Sequence, residues 1–154
     1  MASQPHPWTK TEMAVAAPII KAMSRVNTWA YRVTNGRIGG KFMRGAPVLL
    51  LTTVGRKTGE KRVAPLIYAR DGERVLIVAS KGGMDHHPLW YRNLVAQPEV
   101  EVQIGADVRA MTAHTASPAE KAQLWPKVVA VYRDYADYQK RTTRDIPVVI
   151  LTPR

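Results

Sequence analysis

The stretch that decides the fold is residues 47–79, PVLLLTTVGRKTGEKRVAPLIYARDGERVLIVA. It contains runs rich in leucine and β-branched residues, a composition typical of strands. The runs are residues 47–53, 62–70 and 74–79. Asp71 and Gly72 form a two-residue hairpin signal between the second and third runs, and residues 55–61 separate the first two. The stretch therefore predicts three consecutive antiparallel strands.

The remaining sequence extends this sheet and adds helices at its edges. Val100, Val102 and Ile104 alternate with polar residues, which predicts a half-buried strand, and residues 108–116 and 146–152 predict two more. Helices are predicted over residues 12–34, over residues 88–96 and from Ser117 onward. About six antiparallel strands with flanking helices indicate an α+β protein built as a small closed or split barrel.

The first helix sets the expected domain boundary. Its apolar residues recur at three- and four-residue steps, but Pro18 is tolerated best near a helix start. We therefore expect the regular helix to begin around Ala17. Residues 1–16 are expected to form a flexible N-terminal arm and residues 17–154 a single barrel domain.

The charge balance points to an anionic partner. Lys and Arg total 23 against 12 acidic residues, giving a net charge of +11. Such a field attracts nucleic acid, acidic lipid or a polyanionic small molecule. The chain has no cysteine, which excludes thiolate chemistry, and no long apolar run or signal-peptide pattern. The expected location is the cytoplasm.

The segment between the first two strands is the sharpest local feature. Two glycines, Gly55 and Gly59, permit a tight turn, and Thr58 adds a hydroxyl. Arginine forks suit phosphate or carboxylate, while lysine acts as a point charge. The cations are Arg56, Lys57, Lys61 and Arg62. The segment predicts an anion site; a solvated basic hairpin is the alternative.

A second loop of similar composition closes the third strand. Ser80 and Lys81 are followed by two glycines, and two such loops leaving one sheet would converge on one anion. His86 and His87 come next, but adjacent histidines without a carboxylate pattern are weak metal ligands, so no metal site is expected. Chemistry from a bound cofactor is expected instead, because no catalytic triad or carboxylate pair is evident.

Three tyrosines follow the last predicted helix start. Tyr132, Tyr135 and Tyr138 are three residues apart, a spacing that places them along one slanted helix face. Such a stripe can line an apolar pocket and present hydroxyls to a substrate. A helix packed on the barrel, with its hydroxyls in solvent, is the alternative.

Several ordered motifs over residues 17–152 resemble the deazaflavin-dependent nitroreductases of mycobacteria and other actinobacteria. They are Met23-Ser24-Arg25-Val26-Asn27-Thr28-Trp29, Thr-Thr-x-Gly-Arg-Lys-Thr-Gly, Ala79-Ser80-Lys81-Gly82-Gly83, Pro88-Leu89-Trp90-Tyr91-x-Asn93-Leu94, Pro98-x-Val100-x-Val102-Gln103-Ile104 and the tyrosine segment. The resemblance implies a split β-barrel of the FMN-binding type and reduced coenzyme F420, a deazaflavin with a ribityl phosphate, lactate and glutamate tail.

The resemblance also implies a role for each matching position. The phosphate and the acidic tail of F420 would be held by Arg56, Lys57, Thr58 and Arg62, with Val63, Ala64 and Pro65 beside them. The ring and ribityl chain would lie along Val78, Ala79, Ser80 and Lys81, closed over by Leu89, Trp90, Tyr91, Arg92 and Asn93. Tyr135 would lie near coenzyme and substrate, and Tyr132 and Tyr138 would shape the acceptor pocket.

The implied function is hydride transfer from deazaflavin C5 to a small electrophile, with Ser80 and Tyr135 orienting the acceptor or relaying a proton. A quinone of the menaquinone type is the favoured acceptor; activated alkenes and nitroaromatics are alternatives. At Ile67–Tyr68 the nitroimidazole-activating member carries its aromatic residue one place earlier, which puts that activity in doubt.

Two other functions remain open on the sequence. One is an FMN-binding split barrel, and the other is a basic module without catalysis that binds nucleic acid or anionic membrane. Nucleic acid is disfavoured because aromatic residues are only 7% and do not interleave with the basic loops. The first helix combines Ile19, Ile20, Met23 and Trp29 with Lys21, Arg25 and Arg32, which predicts contact with a membrane surface; a helix that simply covers the barrel is the alternative.

Overall fold

The computed structural model describes residues 6–42 and 45–154, with Ser24 described by its backbone alone. Within these residues the elements are α1 (Lys10–Thr34), β1 (Val48–Val54), β2 (Lys61–Asp71), β3 (Arg74–Val78), a 3-10 turn (Lys81–Gly83), α2 (Leu89–Ala96), β4 (Glu99–Ile104), β5 (Asp107–Thr115), α3 (Pro118–Val131), α4 (Asp134–Lys140) and β6 (Val148–Pro153).

The strands close into a barrel in the order β1-β2-β3-β6-β5-β4, and β4 pairs back to β1. Each neighbouring pair in this order is antiparallel. Closure pairs the strand edges that an open sheet would leave exposed. The predicted antiparallel barrel with flanking helices is confirmed.

Apolar side chains fill the barrel and also cover parts of its outside. On β3, Val75 and Ile77 point into the interior, while Leu76 and Val78 pack against a second cluster from α3 and α4. Successive strand residues face opposite sides of a sheet, so a strand covered on both sides reads as a continuous apolar run. This is why residues 74–79 lack polar alternation.

Helix α1 begins earlier than the sequence predicts. Thr9 caps it: its hydroxyl accepts from the Glu12 N–H at 3.2 Å, and the Glu12 carboxylate accepts from the Thr9 N–H at 2.8 Å. This reciprocal capping box outweighs the cost of Pro18 inside the helix. The predicted start near Ala17 is wrong, and residues 10–16 are helical rather than an arm; residues 1–5 of that arm lie outside the described residues.

The tyrosine segment does not form one continuous helix. Helix α3 ends at Val131, Tyr132 takes extended backbone angles (φ −145°, ψ 96°), and α4 begins at Asp134. Tyr135 and Tyr138 therefore share α4, whereas Tyr132 lies in the break between the helices. The prediction of a single slanted face is wrong for Tyr132.

Candidate coenzyme site

The two glycine-containing loops emerge at one end of the barrel. Strands β1 and β3 run in the same direction, because each is antiparallel to β2. The basic loop (residues 55–60) after β1 and the held turn (residues 79–84) after β3 therefore leave the same end, called here the loop end. Helix α2 joins them there, because it leads into β4, whose Glu101 pairs with Thr52 near the end of β1.

The basic loop is tight in its backbone and exposed in its side chains. The Gly55 N–H donates to the Glu60 carbonyl at 2.7 Å, and the Gly59 N–H donates to the Gly55 carbonyl at 2.8 Å. Gly59 has φ +72°, an angle that favours glycine. Arg56 and Lys57 are exposed, so their charges are available to a ligand.

Two other predicted anion ligands in this region have partners within the protein. The Arg62 guanidinium lies 3.0 Å from the Glu60 carboxylate, and both side chains are more than half exposed. An exposed ion pair of this kind is weak and can be exchanged for a ligand phosphate. The Thr58 hydroxyl accepts from the Glu60 N–H at 3.2 Å.

Asn93 of α2 fastens the basic loop to the sheet. Its amide is buried; Nδ2 donates to the Thr53 hydroxyl at 3.3 Å, and Oδ1 accepts from the Arg56 N–H at 3.2 Å. The sequence predicted Asn93 as a coenzyme ligand, whereas these two bonds make it a connection between loop, helix and strand. An amide can form further hydrogen bonds, so the two roles are compatible.

The held turn is packed closely against α4. A Cβ on Gly83, which has φ +80°, would lie 2.7 Å from the Tyr138 carbonyl oxygen and 3.0 Å from Arg141 Cβ. The glycine is therefore required by both its backbone angle and the close approach of α4. Ala79 and Ser80, predicted to line the coenzyme, are buried at the start of this turn.

Lys81 lies in a cationic environment within the held turn. Burial, Arg92 and Arg144 lower the pKa of its ammonium group. Its Nζ is 2.8 Å from His86 Nε2, and His86 Nδ1 is 2.8 Å from an Asp85 carboxylate oxygen. A bound anion would relieve the repulsion among the cations, so this environment fits a negatively charged ligand.

Arg144, between α4 and β6, organises the held turn and was missed by the sequence analysis. Its guanidinium donates to the carbonyl oxygens of Ala79 at 3.1 Å, Ser80 at 2.8 Å and Met84 at 2.8 Å. It also lies 3.1 Å from His87 Nδ1. Arg144 stands in the polar segment RTTRD at residues 141–145, where neither spacing nor composition distinguishes it from Arg141.

Of the predicted coenzyme ligands on helix α2, some side chains pack on the barrel and others face solvent. Trp90 and Tyr91 pack against the interior cluster, and the Tyr91 hydroxyl lies 2.9 Å from the Thr115 hydroxyl. Leu89 and Arg92 are exposed, and Leu89 has 68% of its surface accessible. The helix thus closes the loop end and leaves an apolar and a cationic side chain facing outward.

The predicted positions on β2 and β3 belong largely to the packing of the barrel wall. Val63 packs with Val48 and Leu50 beneath α1, and Val78 packs in the cluster formed with α3 and α4. Ala64 and Pro65 are half-buried on β2. These residues shape the wall that leads to the loop end.

The three tyrosine rings contact one another despite the helix break. Ring centroids are 5.2 Å apart for Tyr132–Tyr135 and 6.2 Å apart for Tyr135–Tyr138, and the Tyr132 and Tyr138 hydroxyls are 3.3 Å apart. Tyr132 and Tyr135 are only 3% and 5% exposed, and burial raises the pKa of both phenols. Both therefore stay protonated, and Tyr138, half-buried beside the held turn, is the most accessible of the three.

These features define a class of coenzyme-binding barrel. A closed antiparallel barrel carries exposed cations, a glycine turn and a repelling cationic cluster at one end, and this arrangement suits an anionic coenzyme. The chemistry of F420, which joins an aromatic ring to a phosphate and an acidic tail, fits these residues.

Comparison with known proteins identifies the family. A family model described as F420H(2)-dependent quinone reductase matches residues 23–153. An F420H(2)-dependent quinone reductase of Mycobacterium tuberculosis is 47% identical over 133 residues, covering 84% of this chain and 89% of that protein. The chain belongs to the F420H(2)-dependent quinone reductase family.

Solved structures agree with this assignment. An F420-H2 dependent reductase, FDR-A, superposes with a TM-score of 0.64 at 42% identity, covering 68% of this chain and 93% of that one. A second structure, described as a domain-swapped dimer, has a TM-score of 0.66 at 38% identity, covering 82% of this chain and 96% of that one. The protein is thus an F420-dependent oxidoreductase that reduces quinones, and the expectation of F420 as coenzyme is confirmed.

Proposed function

We propose that the loop end of the barrel holds reduced F420 and aligns it with a quinone of the menaquinone type. The observation that carries this proposal is the meeting of two cationic regions at one barrel end: Arg56 and Lys57 on the basic loop, and Lys81 with Arg92 beside the held turn. The first region suits a flexible acidic tail, because its side chains are free to move. The second suits the ring and ribityl chain, because its backbone is fixed.

The residues have distinct roles in this proposal. Arg56, Lys57, Thr58 and Arg62 bind the phosphate and tail, and Val63, Ala64 and Pro65 form the wall beside them. Val78, Ala79, Ser80 and Lys81 line the ring and ribityl chain, and Leu89, Trp90, Tyr91, Arg92 and Asn93 close over it. When bound, reduced F420 supplies a hydride from C5 of its deazaflavin ring.

The chain contributes alignment and a route for a proton to this reaction. Bringing donor and acceptor into a productive geometry accounts for a large part of the activation barrier of a hydride transfer, and a site that fixes this geometry removes that part. Ser80 and Tyr135 orient the acceptor, and the proton that follows the hydride comes from water, directly or relayed through the hydroxyl of either residue. Tyr132 and Tyr138 shape the acceptor side, supported by the contact of Tyr138 with the held turn.

Coenzyme preference tests the location and the chemistry together. Purified protein should bind F420 tightly and FMN weakly, because the two cationic regions offer more positive charge than one phosphate requires. Fluorescence titration with both compounds measures this directly. FMN binding equal to or tighter than F420 binding would contradict the proposal.

We also propose that the protein is cytoplasmic and that α1 rests on an anionic membrane surface, where a lipid quinone is available. Val15, Ile19, Met23, Val26, Trp29 and Val33 are each more than half exposed, and Lys21, Arg25 and Arg32 are exposed on the same helix. No helix in the described part of the chain has the length and apolar character to cross a bilayer. Contact would therefore be along the surface.

Vesicle co-sedimentation tests the membrane contact. Anionic vesicles should retain the protein, neutral vesicles should retain less, and Val26→Asp should release it from both. Val95→Asp is the control, because Val95 is exposed on α2, a helix that packs on β1 and β5. Equal retention of wild type and Val26→Asp would contradict the proposal, and a dimer that Val26→Asp dissociates would assign the apolar face to a second copy.

A further inference from the structure

The Arg144 guanidinium makes four polar contacts at the held turn and the segment that follows it. Three of its bonds satisfy the carbonyl oxygens of Ala79, Ser80 and Met84. Buried carbonyl groups without partners are costly, so a fork of donors at this point fixes the turn in one shape. The fourth contact, to His87 Nδ1, satisfies no backbone group and calls for a different explanation.

The chemistry of that contact determines the state of His87. A guanidinium group has donors and no acceptor, so at 3.1 Å the His87 Nδ1 atom must accept. An imidazole that accepts at Nδ1 is neutral and carries its proton on Nε2. Arg144 therefore selects one of two tautomers of His87 and excludes the doubly protonated form.

The charges around His87 act in the same direction. Burial, Arg144, Arg92 and His86 all lower the pKa of His87. The carboxylate of Asp85 contacts His86 rather than His87. The His87 ring also packs against Tyr91 of α2, with centroids 4.8 Å apart, which fixes its plane.

We propose that Arg144 is a positioning residue of the quinone reductase: it fixes the held turn and keeps His87 as a neutral Nε2–H donor for a carbonyl oxygen at the loop end. Deazaflavin and quinone rings both carry carbonyl oxygens. A neutral His87 can donate its Nε2–H to such an oxygen at any pH above the pKa of the imidazole. The role of His87 as a donor to a ligand rests on the proposed coenzyme site. The tautomer of His87 does not depend on that site, because it is set by Arg144.

The first test is the protonation of His87 without ligand. Nitrogen-15 NMR of labelled protein, with the His87 signals assigned by their loss in His87→Gln, reports the tautomer and the pKa. Wild type should show the Nε2–H tautomer and a pKa below the ordinary value. Arg144→Lys should keep the pKa low, because the charge remains, whereas Arg144→Met should raise it. A proton on Nδ1 in wild type, or an ordinary pKa, would overturn the inference.

The second test is coenzyme binding in the same variants. Arg144→Met should weaken F420 binding by about tenfold or more, the loss expected from about 1.4 kcal/mol of misplaced contacts, and Arg144→Lys should recover part of it. Arg109→Met is the control, because Arg109 is an exposed β5 residue paired with Asp107. Wild-type F420 affinity in Arg144→Met would overturn the inference. Chemical shifts of His87 Nε2 on adding F420 alone, or a quinone alone, identify which carbonyl it meets.

The two tests separate this inference from the proposed site. If F420 bound elsewhere, Lys57→Glu would leave its affinity unchanged, while the tautomer of His87 in the free protein would still be the Nε2–H form. Should Arg144→Met fail to fold, the tautomer and pKa of wild type and Arg144→Lys still decide the inference.

Discussion

The basic loop and the held turn leave the same end of the barrel but are built in opposite ways. The basic loop exposes Arg56 and Lys57, and open space surrounds Gly59. The held turn is bonded by Arg144 and packed against α4 at Gly83. Exposed charges adapt to a ligand and contribute affinity, whereas a fixed turn contributes alignment, because its groups are already ordered when the ligand arrives.

This contrast assigns different kinetic consequences to the two regions. An interaction present equally in ground and transition states changes binding without changing the chemical step. Variants of the basic loop should therefore affect coenzyme affinity alone, whereas variants of the held turn should affect turnover and folding as well as coenzyme affinity. The predictions below test that division.

The largest effect is expected at Gly83. Gly83→Ala introduces a Cβ against the backbone of α4 and holds alanine at φ +80°, so unfolding free energy should fall by about 2–4 kcal/mol. Gly59→Ala is the matched control: its φ of +72° is similar but nothing lies within 4 Å, so the loss should be only about 1–2 kcal/mol. Urea unfolding of both variants measures the difference, and equal losses would mean that the held turn yields as easily as the basic loop.

Charge reversal at Lys57 should act on affinity alone. Lys57→Glu removes a charged contact to the acidic tail and should weaken F420 binding by about 1.5–3 kcal/mol, with turnover at saturation nearly unchanged. Lys127→Glu makes the same change in net charge beside Asp71, at the β2–β3 hairpin on the other end of the barrel. If both variants lose affinity equally, the effect is one of overall charge and the basic loop is not the tail site.

Tyr135 tests whether the tyrosine cluster takes part in chemistry. Tyr135→Phe keeps the buried ring and removes the hydroxyl, so the fold should persist while turnover falls about tenfold for each ~1.4 kcal/mol of lost transition-state interaction. Tyr132→Phe and Tyr138→Phe should change acceptor preference more than rate. Steady-state kinetics beside thermal melts provide the measurement, and wild-type turnover in Tyr135→Phe would assign the residue to packing alone.

The smallest effect is expected from salt. Raising ionic strength should weaken F420 binding gradually, because exposed charges at the basic loop are screened while the more buried held turn is screened less. The dependence should be shallower in Lys57→Glu than in wild type. Titrations at several salt concentrations measure both slopes; parallel slopes would argue against a role for Lys57 in tail binding.

The strands could be predicted from the sequence because local and tertiary preferences agree there. The runs of leucine and β-branched residues and the Asp71–Gly72 turn define β1, β2 and β3 to within one or two residues. The start of α1 differs from the prediction because Pro18 is typical of a helix start, whereas the Thr9–Glu12 capping box sets the start at Lys10. The break at Tyr132 was missed because three-residue spacing cannot reveal where a helix stops.

The site was only partly predictable because its supports come from distant segments. Glycines and cations at two strand ends drew attention to both loops, because glycine permits tight turns and the cations suit an anionic ligand. The hydrogen bonds of Asn93 to Thr53, and of Arg144 to Ala79, join residues 40 and 65 positions apart. Such pairings depend on how the barrel closes, and neither residue type nor spacing encodes them.

The most direct measurement compares F420 with a deazaflavin that lacks the phosphate and acidic tail, titrated against wild type and Lys57→Glu. If the basic loop binds the tail and the held turn the ring, Lys57→Glu should weaken F420 binding and leave the binding of the truncated deazaflavin unchanged, so the affinity gap between the two compounds narrows. A gap of the same size in both proteins would show that Lys57 does not recognise the tail, and would contradict the division of the loop end into an adaptable and a fixed half.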